Sequence, residues 1–257
     1  MRAILLLMLM VLLTSACSMF QEKEDETKNW SAERIYNEGK SAMDSGYYTE
    51  AVKYYEKLQV RYPFGVYAQQ SQLDLAYSYY KTEDWASAIA ASDRFIKLNP
   101  TNPHVDYAYY LKGLVSYNEG KGLIQKYLPN DPSQRDPGGA LHAFQDFTEL
   151  VKRFPNSRYV PDAQKRMTWL RNILAEHEVN VAKYYMRRKA YIAAANRCRY
   201  VVEHYQGAPA MPDALVIMAK AYKVLELPDL SNDALRVLKL NFPNNPGIEE
   251  VRSIVVK

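Results

Sequence analysis

The sequence predicts an all-α fold, a solenoid of five helix pairs. Three observations predict it. A short phrase ending in Pro recurs along the chain, as RYP at 61–63, LNP at 98–100, RFP at 153–155 and NFP at 241–243, with HYQ at 204–206 in the same register. A small residue stands twelve positions before the end of each phrase: Ala51, Ala88, Ala143, Ala194 and Ser231. No stretch shows convincingly the period of two that a strand would need. Two antiparallel helices approach closely where small residues face each other, and Pro cannot continue the second helix.

Each pair has its own signature. Repeat one, about 32–65, carries Gly39 and Ala42 ahead of Ala51. Repeat two, about 69–102, carries Ala76 and Tyr79 in the equivalent places. Repeat three, about 104–157, has its small residue at Gly113 and an insertion, Glu119–Pro137, that holds Gly120, Gly122, Asp131-Pro132 and Asp136-Pro137. Repeat four, about 162–206, carries Ala182 and Tyr185 and a lengthened first helix, about Asp162–Arg188, with no internal Pro or Gly. Repeat five, about 212–243, carries Ala219 and Tyr222, and a tail, Asn244–Lys257, follows. The phrases end 37, 55, 51 and 37 residues apart, so the basic period is 37. This pattern matches the tetratricopeptide repeat, a helix pair that buries its apolar face only by stacking on its neighbours.

The first twenty residues are of another kind. Arg2 precedes an apolar run, Ala3–Leu13, and then Thr14-Ser15-Ala16-Cys17. A basic start, a short apolar core and small residues before a cut form a secretory signal, here residues 1–16. The run is too short for a bilayer span of about 20 residues. A Cys at the cut resembles a bacterial lipobox, with Thr14 where Leu is usual. Cys17 is then the mature N-terminus and carries covalent lipid, and Ser18 after it suggests transfer to the outer membrane. Residues 18–31 hold four acids and two Lys. They read as a flexible tether, roughly 20 Å as a coil and about 45–50 Å stretched.

Composition narrows the function. The chain has 257 residues, 48% hydrophobic and 24% charged, which suits a packed protein. A net charge of +4 is too mild to argue for nucleic acid. Gly39-Lys40-Ser41 looks like the end of a P-loop, but its earlier Gly would fall at Arg34 and no strand precedes it. The four His (104, 142, 177 and 204) are far apart and offer no metal spacing. Cys198 falls on a core-facing repeat position. No catalytic constellation and no cofactor site stands out, so the reading is non-enzymatic.

Surface remains. Fifteen of the 22 Tyr fall between Tyr36 and Tyr127, several as doublets. Repeat arrays form a concave surface, and Tyr joins a large ring to a hydroxyl at low entropy cost. The predicted peptide-binding groove comprises Tyr62, Phe64, Tyr67, Gln69, Gln70, Asp74, Tyr77, Tyr80, Arg94, Asp106 and Tyr110. Burying one aromatic end group there would supply roughly 2–3 kcal/mol, a weak and releasable hold. A second signal lies between Val179 and Val202, where six basic residues occur without an acid. Lys183, Arg187, Arg188 and Arg197 are the predicted docking residues for an acidic partner, an acidic protein domain in preference to anionic lipid headgroups.

Several stretches resemble the BamD family of outer-membrane assembly lipoproteins: Arg61–Leu75 with RYPFG, Gln69-Gln70 and Asp74; Asp93–Pro100; Arg135-Asp136-Pro137; Phe154–Ser157; and Asn196-Arg197. Gln206 in place of Pro and the end of the tail depart from it. The resemblance implies an anchor on the periplasmic face of the outer membrane and a non-enzymatic subunit of the β-barrel assembly machine. It implies a BamA-like barrel subunit, docked through its POTRA domain by the carboxy-terminal repeats, as a partner. BamC- and BamE-like lipoproteins would be further partners. The amino-terminal repeats would recognise carboxy-terminal signals of unfolded barrel clients, and Arg197 matches a family Arg implicated in docking. Two other readings stay open on the residues alone: another repeat lipoprotein, such as a pilus-assembly pilotin or cell-wall factor, and an enzyme on a repeat scaffold.

Overall fold

A computed structural model describes residues 25–119, 133 and 136–255. The expected signal segment, Cys17 with its expected lipid, and most of the insertion, including Gly120, Gly122 and Asp131-Pro132, lie outside the described residues. Eleven helices and no strand occur among those described. They are α1 (Ala32–Asp44), α2 (Tyr48–Arg61), α3 (Val66–Lys81), α4 (Trp85–Leu98), α5 (Val105–Glu119), α6 (Gly138–Arg153), α7 (Val160–Arg187), α8 (Tyr191–His204), α9 (Met211–Val224), α10 (Pro228–Asn241) and α11 (Gly247–Ser253). Each helix from α1 to α10 packs on the next, giving five antiparallel pairs. First helices of neighbouring repeats also touch (α1 with α3, α3 with α5, α7 with α9), which puts them on the inner side of the array.

The small residues sit where the pairs close. Gly39, Ala51, Ala76, Ala88, Gly113, Ala143, Ala182, Ala194, Ala219 and Ser231 are all buried. A methyl group at Gly113 would lie 2.4 Å from the Phe147 ring, so only glycine admits that contact. In repeat five the Ser231 hydroxyl donates to the Ala219 carbonyl at 2.9 Å, joining the two small positions directly.

The recurring phrase ends the second helix of each pair in one way. Its middle residue is the C-cap (Tyr62, Asn99, Phe154, Tyr205, Phe242), with φ between −120° and −137°. Its amide bonds to the carbonyl four residues back. A following Pro forbids the helical conformation there. Gln206 imposes no such restriction, yet α8 stops in register, with Gly207 at φ +74° just beyond.

Three segments depart from expectation. The tether was expected to be flexible through Ser31, but residues 25–31 are folded onto α2. Asp25 accepts from Lys57 Nζ at 2.8 Å and pairs with Arg61, whose guanidinium also bonds the Thr27 carbonyl. Thr27 is buried, and the Trp30 ring stacks on Tyr54 at 6.1 Å. The cause is geometric: Lys57 and Arg61 are four residues apart, hence on one face of α2, and they meet the acid together. The fourth repeat's first helix begins at Val160 rather than Asp162, with Pro161 in its first turn, where a missing amide costs nothing. The tail forms α11, whose Ile248 and Val251 bury against α9 and α10. Lys223 Nζ donates to the carbonyls of Val251 and Arg252 at its end (2.7 and 2.9 Å).

Candidate functional site

The inner wall is built from the first helices of repeats one to four. On α3 the rise of about 3.6 residues per turn lines Tyr67, Gln70, Asp74 and Tyr77 in one row. Tyr67 lies 5.5 Å from Tyr36 of α1, ring to ring. Asp74 accepts hydroxyl bonds from Tyr36 (3.1 Å) and, more weakly, Tyr55 (3.4 Å). Burial pushes its carboxyl above the usual range, against the pull of Lys40 and the two hydroxyls. Burial first and Asp74 second raise the Tyr36 hydroxyl to about 12. Tyr77 packs between Tyr48 and Tyr80 (6.0 and 6.2 Å), and Tyr80 continues to Trp85 at 5.9 Å.

From α5 the wall runs on into repeat four. Tyr107 lies within electrostatic reach of Asp74 and Tyr77 on one side and of Tyr110 and Tyr159 on the other. Tyr110 stacks on Tyr159 at 4.7 Å and donates to Asp162 at 2.7 Å. Burial and the Asp162 bond raise the Tyr110 hydroxyl to about 12. Burial also acts to raise the Asp162 carboxyl, but bonds from Arg166 and Tyr110 outweigh it and leave it lowered. Asn118 donates to the Tyr80 hydroxyl at 2.7 Å, and Tyr117 meets Trp169 edge-on at 5.3 Å. The result is a continuous band of rings and hydroxyls across four repeats. It offers apolar area to side chains and hydrogen bonds to an extended backbone.

Not every predicted groove residue joins it. Tyr62 donates to the Trp30 carbonyl at 2.8 Å, so it holds the folded-back segment. Phe64 is 89% exposed in the α2–α3 loop, where Gly65 has φ +102°. Gln69 is exposed on the first turn of α3, whereas Gln70, also exposed, stays in the inner row. Asp106 accepts from the Ser157 hydroxyl at 2.6 Å, tying the α6–α7 loop to α5. Arg94 is a correction: it stands exposed on α4, among the outer second helices, away from the ring band. The band contains residues that spacing alone did not bring out, namely Tyr36, Tyr107, Tyr159, Asp162, Arg166 and Trp169. The i,i+4 pair Asp162–Arg166 was the available signal.

The basic patch is paired in part. Its window lacks acids, but the fold supplies them from outside. Arg197 pairs with Glu178 at 3.1 Å and Lys183 with Asp213 at 2.9 Å. Arg187 and Arg188 are exposed, without an ion pair among the described residues. Arg197 borders a cavity of about 400 Å³ shared by Pro137, Leu141, Leu174, Tyr200 and Tyr205. Burial pushes the Cys198 thiol to about 12, which leaves it an inert core residue. The described residues contain no metal-binding cluster of His, Cys, Asp or Glu, and no helix long and apolar enough to cross a membrane.

A family model described as YfiO, outer membrane lipoprotein, matches residues 28–238. A Neisseria meningitidis serogroup B protein named outer membrane protein assembly factor BamD is 45% identical over 253 residues, 97% of this chain and 95% of its own. A Vibrio cholerae protein of the same name is 39% identical over 208 residues, 81% of this chain and 86% of its own. A solved structure from Pseudomonas aeruginosa PilF covers 89% of this chain and 84% of its own at 14% identity. Its TM-score is 0.41, too low to bear on fold or function.

Proposed function

The chain belongs to the YfiO family of outer membrane lipoproteins, and on that premise we propose that it is a non-enzymatic subunit of the β-barrel assembly machine. It acts in outer membrane protein assembly, as its relatives' names say of them. Covalent lipid on Cys17 holds it at the periplasmic face. The inner wall of repeats one to three captures carboxy-terminal signals of unfolded barrel clients. The ridge of repeat four, with Lys183, Arg187, Arg188 and Arg197, docks the POTRA domain of a BamA-like barrel subunit. BamC- and BamE-like lipoproteins complete the assembly.

One observation carries this reading: the band from Tyr67 and Asp74 through Tyr110 presents rings and polar groups together on one inner face. Shallow aromatic contacts with scattered hydrogen bonds give a weak, releasable grip, as a factor that hands clients onward requires. A photo-crosslinking residue at Gln70 should capture a client's carboxy-terminal peptide, and one at Arg94 on the outer layer should not. Equal capture at both places would overturn the groove.

A further inference from the structure

A groove that reads the end of a chain, rather than an internal stretch with the same side chains, must contact the terminal carboxylate. No other group distinguishes the two. On the inner wall, rings from three successive repeats surround one guanidinium, that of Arg166 on α7. It lies 4.8 Å over the Tyr117 ring of α5. It is within electrostatic reach of Tyr80 on α3 and Tyr110 on α5. Trp169, three residues on, shares its helix face and meets Tyr117 edge-on at 5.3 Å.

The side chain is held but not used up. Arg166 Nε donates to Asp162 at 2.6 Å, and the Arg166 side chain remains 28% exposed. Asp162 is its one ion-pair partner among the described residues and already accepts the Tyr110 hydroxyl at 2.7 Å. A guanidinium carries five N–H donors in a planar fork that suits a second carboxylate. Other cations beside the band are placed differently: Lys81, 5.1 Å over the Tyr48 ring, is an exposed point charge on a flexible stem at the end of α3; Arg158, 5.6 Å over the Tyr159 ring, is exposed in the α6–α7 loop; and Lys40, within reach of Asp74, is paired with Asp44 at 3.0 Å.

We propose that Arg166 is the specificity-determining residue that reads a client peptide's terminal carboxylate, with the last, aromatic side chain against Tyr117 and Trp169. The inference rests on the client-peptide reading above. Asp162 plays the complementary part: it holds the guanidinium in place and competes with the incoming carboxylate.

The test uses the full-length protein in mild detergent. Two fluorescent peptides of one aromatic-ended sequence are titrated, one a free acid and the other a carboxy-terminal amide. Wild type should bind the acid about tenfold to a hundredfold more tightly, the range for a charge-assisted hydrogen bond. Arg166→Gln should bring acid binding down to the amide's level and leave the amide unchanged. Asp162→Asn should strengthen acid binding alone. Equal binding of acid and amide by wild type would overturn the role of Arg166 and leave the groove standing. A preference for the acid that survives Arg166→Gln would overturn it too. If wild type binds neither peptide, the client-groove reading falls and this inference with it. If Arg166→Gln fails to fold, Asp162→Asn decides: no gain in acid affinity overturns the proposal.

Discussion

Repeats two and three pack rings, whereas repeat four packs methyl groups. The core around α4–α7 holds Phe95, Tyr109 and Phe147 with Leu150 and Leu170. The core around α7–α9 is lined by Ala175, Ala182, Ala194, Ala208, Ala210 and Ala214 around Cys198 and a few larger residues. The difference carries through to the surface. Where rings fill the core, further rings continue onto the inner face, and their hydroxyls bond Asp74, Asp162 and Asn118. Where alanines fill it, the outward positions carry Lys183, Arg187, Arg188 and Arg197. One repeat plan thus supports an aromatic surface and an ionic one, because the pair needs only a small residue facing its partner and leaves the outward positions free.

The largest expected effect tests the cores. Phe147→Ala should cost about 3–5 kcal/mol and lower the melting temperature by roughly 10 °C. Ala194→Val, which overfills the alanine core, should cost about 1–3 kcal/mol. Calorimetry that reverses the order would undo the comparison. Next come the surfaces. Arg197→Glu should abolish co-purification with the barrel subunit and leave client-peptide binding intact. Loss of both together would mean that the two faces are not separate.

A smaller effect concerns Asp74. Its carboxyl is raised in the folded state, so the fold binds the proton more tightly than the open chain does, and its contribution falls as pH rises from the ordinary carboxylate range. Asp74→Asn should therefore raise the melting temperature by about 1–3 °C at pH 7.5 and leave it unchanged near pH 3.5. An unchanged melting temperature at both would show that the buried carboxylate carries no cost. The smallest effect belongs to Asp25→Asn. It should barely move the melting temperature, yet hydrogen exchange across residues 25–31 should quicken.

Helix pairing was legible because it is local: the twelve-residue offset and the terminating Pro act within one pair. The ring band was half legible. Doublets such as Tyr79-Tyr80 guarantee that two faces are covered, and Tyr80 does reach the inner wall while Tyr79 instead donates to Glu56 at 2.6 Å. Contacts between distant segments were not legible. Arg94 lies in an aromatic-rich stretch but on an outer helix. Arg197 has no acid within its window, and Glu178 reaches it only because α7 and α8 pack together. Asp25 reads as one more charge in a polar run until α2 sets Lys57 and Arg61 opposite it.

That last contact has a consequence for search. With the proposed anchor at Cys17, a chain free through Ser31 would let the first repeat sample a hemisphere about 50 Å in radius. The clasp at Asp25 would cap that reach at about 28 Å, the most that eight residues can span at roughly 3.5 Å each. The volume swept would fall about sixfold with the cube of that length, and the effective concentration of the groove beside the proposed partner would rise by the same factor.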